Sequence, residues 1–246
     1  MKLLALGDLH LDWTTHGVDR FPELQRSLGR VLEAAIEERV DAVFVVGDLF
    51  NPDSGPRVFR CLELCMGFMR ALAEANIEQV WIAGNHDVIE DGSGTTTLTP
   101  LKSFADTMPT TTIVFERPGW VRFKDARCVI GLPFVAATAG YKSTPVDELR
   151  SMVGCEVDGA IVVGHMTELP GVVLDNESTD LARGRGIPFP LEETRGAACR
   201  LNGHFHKAQT VTDPGGGPPI IIPGSLARLT FGESKNEPGF VIVEVP

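Results

Sequence analysis

Apolar and polar positions follow two rhythms through the first third of the chain. KLLALG (2–7) is apolar after its first residue and short, as in a strand buried on both faces, and DAVFVVGD (41–48) and EQVWIAGN (78–85) repeat the design. Between them, residues 21–39 put Leu24, Leu28, Val31, Leu32, Ala35 and Ile36 on one helical face, and residues 57–75 read as a second helix. This βαβαβ order predicts a parallel sheet with helices packed on it.

After a polar loop at 92–100 the pattern turns β-rich. TTTIVF (110–115), GWVRF (119–123) and ARCVIGLPF (126–134) read as consecutive antiparallel strands, residues 141–152 as a helix, and GAIVVGH (159–165) as another buried strand. Residues 166–193 are rich in Pro, Gly and charge and read as a surface loop. ACRLNGH (198–204), KAQTVT (207–212), PIIIPGS (219–225) and GFVIVEV (239–245) supply four more strands. No repeat, linker or low-complexity tract interrupts the series. Residues 1–246 therefore read as one α/β domain (an α+β variant), with two facing mixed β-sheets and helices outside.

Composition changes this picture little. The 246 residues are 43% hydrophobic, enough for a substantial core, and the formal charge of −11 gives no global basic surface. A nucleic-acid substrate would need a local basic patch or bound cations that reverse the sign at one site. The five cysteines show no zinc spacing, which points to free thiols, a reducing compartment and a cytoplasmic location. MKLLALG resembles the start of a signal peptide but runs into Asp8, His10 and Asp12, and no stretch approaches a membrane span.

The candidate chemistry lies where the apolar runs stop. ALGDLH ends in Asp8 and His10, VVGDLF carries Asp48, IAGNHD ends in Asn85, His86 and Asp87, VVGH in His165, and LNGHFH in His204 and His206. Each run meets a glycine and then a residue able to hold a metal, and of six histidines only His16 falls outside these tips. A single Gly-Asp is a common turn, but five such transitions point to one site, since ligands gather at the carboxyl ends of parallel strands. Carboxylate, imidazole and amide oxygen suit hard or borderline divalent cations, and no tip carries a thiolate. A carboxylate near the centre, with Asp48 the candidate, can bridge two cations that clamp a phosphoryl group and activate water. His86, beside Asn85, need not be a ligand, and an unligated imidazole there could stabilise the transition state or protonate a leaving oxygen.

The order DxH, GD, GNHD, GH, GHxH resembles the calcineurin-like metallophosphoesterase superfamily, a four-layer sandwich of two sheets between helices. That resemblance implies Asp8, His10, Asp48 and His206 around one metal, Asp48, Asn85, His165 and His204 around a second, and His86 as the catalytic histidine. GDLFNP, together with GHFHKAQTV and IIIPGSLARLTFGESKNEPGFVIVEV, is similar to the nuclease subunits of SbcCD-type DNA repair complexes. The narrower resemblance implies a DNA phosphodiesterase using two divalent ions, Mn²⁺ first, with Fe, Zn, Ni or Mg also compatible with the donors. It also implies an SbcC-type ATPase partner, while the 246 residues correspond to a catalytic core without the capping domain. Some members carry histidine where this chain has Asn51. Arg183, Arg185, Arg195, Arg200, Lys207 and Arg228 are the cations available to track a phosphate backbone. Two other readings use the same residues: a phosphodiesterase or phosphatase for nucleotides, and a non-catalytic scaffold.

Overall fold

The computed structural model describes residues 1–123, 125, 127–134, 144–152, 154–172, 174 and 187–246. The first apolar run forms β1 (Lys2–Leu6), followed by a small hairpin of β2 (Thr14–Thr15) and β3 (Val18–Asp19). Helix α1 (Phe21–Glu37) starts on Pro22 and buries Leu24, Leu28, Val31 and Ala35, as its spacing requires. The chain leaves it through Arg39 in the left-handed conformation (φ 52°), which ends the helix short of the predicted 39. Next come β4 (Ala42–Val45), α2 (Arg57–Glu74) and β5 (Glu78–Ile82), then α3 (Thr99–Ala105) and β6 (Thr112–Phe115). With β13 (Val241–Glu244), these strands make a five-stranded sheet ordered β13-β1-β4-β5-β6, parallel except for β13.

The second sheet contains β7 (Gly119–Arg122), β8 (Cys128–Leu132), β9 (Ile161–Gly164), β10 (Cys199–Asn202), β11 (Gln209–Val211) and β12 (Ile220–Ile222). Its order is β11-β12-β10-β9-β8-β7, with β8, β9, β10 and β12 parallel and antiparallel strands at both edges. A bridge between Gly7 and Ser225 ties the ends of β1 and β12 together across the two sheets.

Period-two alternation sorts the side chains into layers. Leu4, Leu6, Val43, Val45 and Trp81 face α1 and α2, packing on Leu28, Val31, Cys65 and Met69. Their neighbours Leu3, Ala5, Phe44, Val80 and Ile82 face inward against Val129, Ile161, Val163 and Leu201 of the second sheet. The far side of that sheet, Ile130, Leu132, Val162 and Ile220, is covered by Leu149 of α4 (Pro145–Ser151) and by Phe189. Because both faces of the central strands are covered, β4, β8 and β9 are apolar throughout, while β10 carries the buried Arg200 and Asn202. Two facing mixed sheets between helical layers are the α/β architecture the sequence predicts.

Two details differ from the sequence reading. Strand β6 pairs in parallel with β5 in the first sheet instead of antiparallel with β7, because the crossover through α3 brings it to the open edge of β5. Helix α3 itself begins inside the segment read as loop, behind its threonine-rich lead-in. Of 141–152, the described part forms α4, and of 166–193 the described ends meet at a Glu168–Pro188 bridge; Arg183 and Arg185 lie outside the described residues. No helix among the described residues is long and apolar enough to cross a membrane.

Candidate metal centre

The carboxyl ends of β1, β4 and β5 in one sheet meet those of β9 and β10 in the other. At these tips the chain turns abruptly. Asp8, His10, Asp48 and His204 all take positive φ (50°, 41°, 53° and 76°), a conformation that costs a non-glycine residue roughly 1–2 kcal/mol. Backbone bonds between loops hold them there: Asp8 N–H donates to Gly47 O (3.0 Å) and His10 N–H to Asp48 O (3.0 Å). Two glycines let the tips approach. A Cβ on Gly84 would strike the Asp48 carboxylate, and one on Gly203 would strike Val46 O and the His165 ring. Asp87 ties the tip loops together, accepting Leu49 N–H (2.9 Å), Gly84 N–H (2.8 Å) and Thr97 Oγ1–H (2.8 Å).

Each carboxylate has one oxygen fixed by a backbone amide and the other facing inward. Asp8 Oδ1 accepts His204 N–H at 2.9 Å, and Asp48 Oδ1 accepts His86 N–H at 2.8 Å. Asp48 Oδ2 then lies between two donor groups, 3.7 Å from His10 Nε2 and 3.3 Å from His165 Nε2. On one side, His10 Nε2 and His206 Nε2 face each other at 3.2 Å and cluster with Asp8. On the other, Asn85 Oδ1 is 3.1 Å from His165 Nε2 and 3.0 Å from His204 Nδ1. His86 stands edge-on to His10, ring centroids 4.8 Å apart, with its Nδ1 2.9 Å from Asn51 Oδ1. All eight sequence-predicted residues therefore meet in one cluster, and only His206 is more than marginally exposed.

Burial and mutual charge set the protonation states. Burial opposes ionisation of Asp48, but the His165, His10 and His86 rings hold its carboxyl well below the usual range. Burial likewise opposes charge on His165, yet Asp48 beside it lifts the ring to about 9. His204 is pushed down to about 3 by burial and by His165, and burial pushes His10 well below its ordinary value. Burial raises Asp8 to about 6, and burial with the nearby Asp48 charge raises Asp87 to about 7. His10 and His204 are thereby neutral, the state that binds metal, whereas a cation at His165 would displace its proton.

The residues fit divalent cations. Asp8 Oδ2 is buried without a hydrogen-bond partner, and beside it His10 Nε2 and His206 Nε2 face each other at 3.2 Å, an arrangement that a shared cation would explain. The donors are oxygen and imidazole nitrogen, with no thiol among the clustered groups.

The calcineurin-like phosphoesterase family model matches residues 1–222. The chain belongs to this family. Its members use divalent metals, and the paired His/Asp groups described here could hold them. The chain is 26% identical to SbcD, the nuclease component of SbcCD from Escherichia coli (strain K12), over 95% of its own length and 62% of that protein. It is 34% identical to a DNA double-strand break repair protein of Aeropyrum pernix, over 35% of this chain and 21% of that one. It thus spans less than two thirds of the length of these curated relatives. The fold is shared with the crystal structure of a dimetal phosphatase from Danio rerio (TM-score 0.55, 11% identity, 91% of this chain and 87% of that one).

A second ring of residues escaped sequence reasoning. Asp12 accepts Asn51 N–H (3.2 Å), Asn51 Nδ2–H (3.0 Å) and the Ser54 hydroxyl, so it braces the amide that meets His86. Its only signal was its place two residues beyond the DxH motif. Glu233, which meets His206, had its signal in the FGE triplet of the tail. Conversely, Arg200 does not serve a phosphate-tracking surface: it is fully buried and paired with Asp213 at 2.7 Å.

Proposed function

We propose that this protein is a metal-dependent phosphodiesterase that hydrolyses DNA phosphodiester bonds, with two divalent cations at the strand tips. The observation that carries this reading is Asp48 Oδ2, an ionised oxygen between two sets of inward-facing donors. Asp8, His10, Asp48 and His206 would hold one cation and Asp48, Asn85, His165 and His204 the other. When bound, such a pair neutralises the phosphoryl oxygens and supplies a water nucleophilic at neutral pH. Manganese is the first candidate, and iron, zinc, nickel or magnesium suit the same donors.

The chain's own residues do the rest. Asn51 Oδ1, braced by Asp12, keeps the proton on His86 Nδ1 and so aims Nε2 at the cluster. As the water oxygen bonds to phosphorus and gives up a proton to solvent, the P–O bond to the departing nucleoside breaks. His86 in its imidazolium form, protonated at Nε2 as well as Nδ1, delivers the Nε2 proton that the departing oxygen needs. DNA is favoured as substrate by the similarity to the SbcCD nuclease component along 95% of the chain. By the same likeness, an SbcC-type ATPase is the proposed partner. The −11 formal charge favours a second reading, a phosphodiesterase for nucleotides.

The test compares metal-stripped protein with and without Mn²⁺ on linear duplex, single-stranded and hairpin DNA, with bis(p-nitrophenyl) phosphate and Asp48→Ala as controls. Metal-dependent DNA cleavage that disappears in Asp48→Ala is the expected result. Turnover of the small diester with every DNA left intact would favour the nucleotide reading.

A further inference from the structure

The five-motif pattern stops at His206, yet the site continues into the C-terminal tail. Glu233 sits in the 3-10 turn Phe231–Glu233, 27 residues beyond His206, and is 1% exposed. A buried carboxylate needs donors to stabilise its charge, and this one has three. Oε2 accepts Leu229 N–H at 2.8 Å, while Oε1 accepts the Thr230 hydroxyl (3.1 Å) and meets His206 Nδ1 (3.1 Å). The first two bonds fix the carboxylate within its own turn. The third reaches across to a donor of the metal cluster, whose opposite nitrogen, Nε2, faces His10 Nε2 at 3.2 Å and groups with Asp8.

We infer that Glu233 is a positioning residue of the metal centre, holding His206 with Nδ1 protonated and the Nε2 lone pair turned to a divalent cation. The inference rests on the two-cation reading above. Imidazole has one proton for two nitrogens, so an acceptor at Nδ1 decides which nitrogen can ligate. A carboxylate there also makes Nε2 more basic and locks the ring plane, and loss of such a partner typically weakens metal affinity by about 10–100-fold. His206 is the one donor with appreciable exposure, 11% of its side chain, and so the donor least held by packing. A buried carboxylate compensates for that freedom.

Glu233→Gln separates positioning from architecture. Glutamine keeps the shape and an oxygen for Leu229 N–H, but turns an N–H₂ group to His206 Nδ1 and so favours the tautomer with Nε2 protonated. On the full chain, Mn²⁺ binding is measured by equilibrium dialysis alongside metal-free melting. Two-bond ¹⁵N–¹H correlation on metal-free wild type, at alkaline pH where the ring is neutral, reports the His206 tautomer. The expected result is two Mn²⁺ equivalents for wild type, one of them weakened about 10–100-fold in Glu233→Gln. Metal-free melting should be unchanged, and wild-type His206 should be the Nδ1–H tautomer. Wild-type affinity for both ions in Glu233→Gln overturns the inference, and so does an Nε2–H tautomer in wild type. A variant that melts early and loses both equivalents together would make Glu233 a turn anchor only, which also overturns it. Wild type that binds no Mn²⁺ would instead sink the two-cation reading, leaving the tautomer to report on the Glu233–His206 pairing.

Discussion

Two buried polar clusters among the described residues are finished differently. Around Arg200 every group has a partner: Nη1 meets Asp213 Oδ2 at 2.7 Å, Nε donates to Thr194 O at 2.9 Å and Nη2 to Leu191 O at 3.0 Å. Asp213 also accepts Gly215 N–H at 2.7 Å and Gly217 N–H at 3.2 Å. At the strand tips, by contrast, Asp8 Oδ2 is left without a partner, His10 Nε2 and His206 Nε2 meet each other at 3.2 Å, and the backbone that presents Asp8 and His10 is left-handed. Buried charge alone therefore does not mark a site. A saturated cluster closes a fold, whereas an unsaturated one on strained backbone is built for something that arrives later.

That contrast makes opposite demands on substitution. Asp48→Ala should lower kcat/KM on bis(p-nitrophenyl) phosphate by about 10³-fold or more, roughly 4 kcal/mol of transition-state stabilisation. The metal-free melting temperature should fall only modestly, because His165, stripped of its counterion, can shed its proton, as a guanidinium cannot. Asp213→Ala should do the reverse. It strands a buried guanidinium and should cost about 3 kcal/mol in denaturant unfolding, with turnover per folded molecule unchanged. An Asp48→Ala protein that unfolds as readily as Asp213→Ala would erase the distinction.

Metal provides a milder separation. At a hundredfold excess over Kd, Mn²⁺ should stabilise wild type by about 2.7 kcal/mol per bound ion and Asp213→Asn by the same increment, while Asp48→Ala gains far less. Calorimetric melting with and without chelator reads this directly. The smallest effect is acid sensitivity. Burial opposes the Asp213 charge, but Arg200 and two backbone amides hold its carboxyl below the ordinary range. A depressed carboxyl contributes stability that is complete above its unfolded value, near ~4, and lost as pH falls through its folded value. Metal-free unfolding followed downward from about pH 5 should therefore show a steeper loss in wild type than in Asp213→Asn.

The sequence disclosed the unsaturated cluster better than the saturated one, for a physical reason. Asp8, Asp48, Asn85, His165 and His204 each follow an apolar run and a glycine, so the strand tip and the close approach are both written locally. Arg200 and Asp213 carry no such mark. Their pairing depends on how the chain around β10 and β11 folds back, and from sequence Arg200 looked like any surface cation. Asp12, Asn51 and Glu233 were missed as outer partners because each acts through another side chain, and no spacing rule links them to it. Among the elements, the strands buried on both faces were plain, whereas β6 went to the wrong neighbour because its sequence does not name the edge it joins.

If Asp48 stands between two cations, electron paramagnetic resonance of the Mn²⁺-loaded protein tests that placement most directly. Two ions sharing a carboxylate should give an exchange-coupled spectrum at two equivalents, lost in Asp48→Ala. A spectrum of isolated Mn²⁺ that saturates at one equivalent would contradict it.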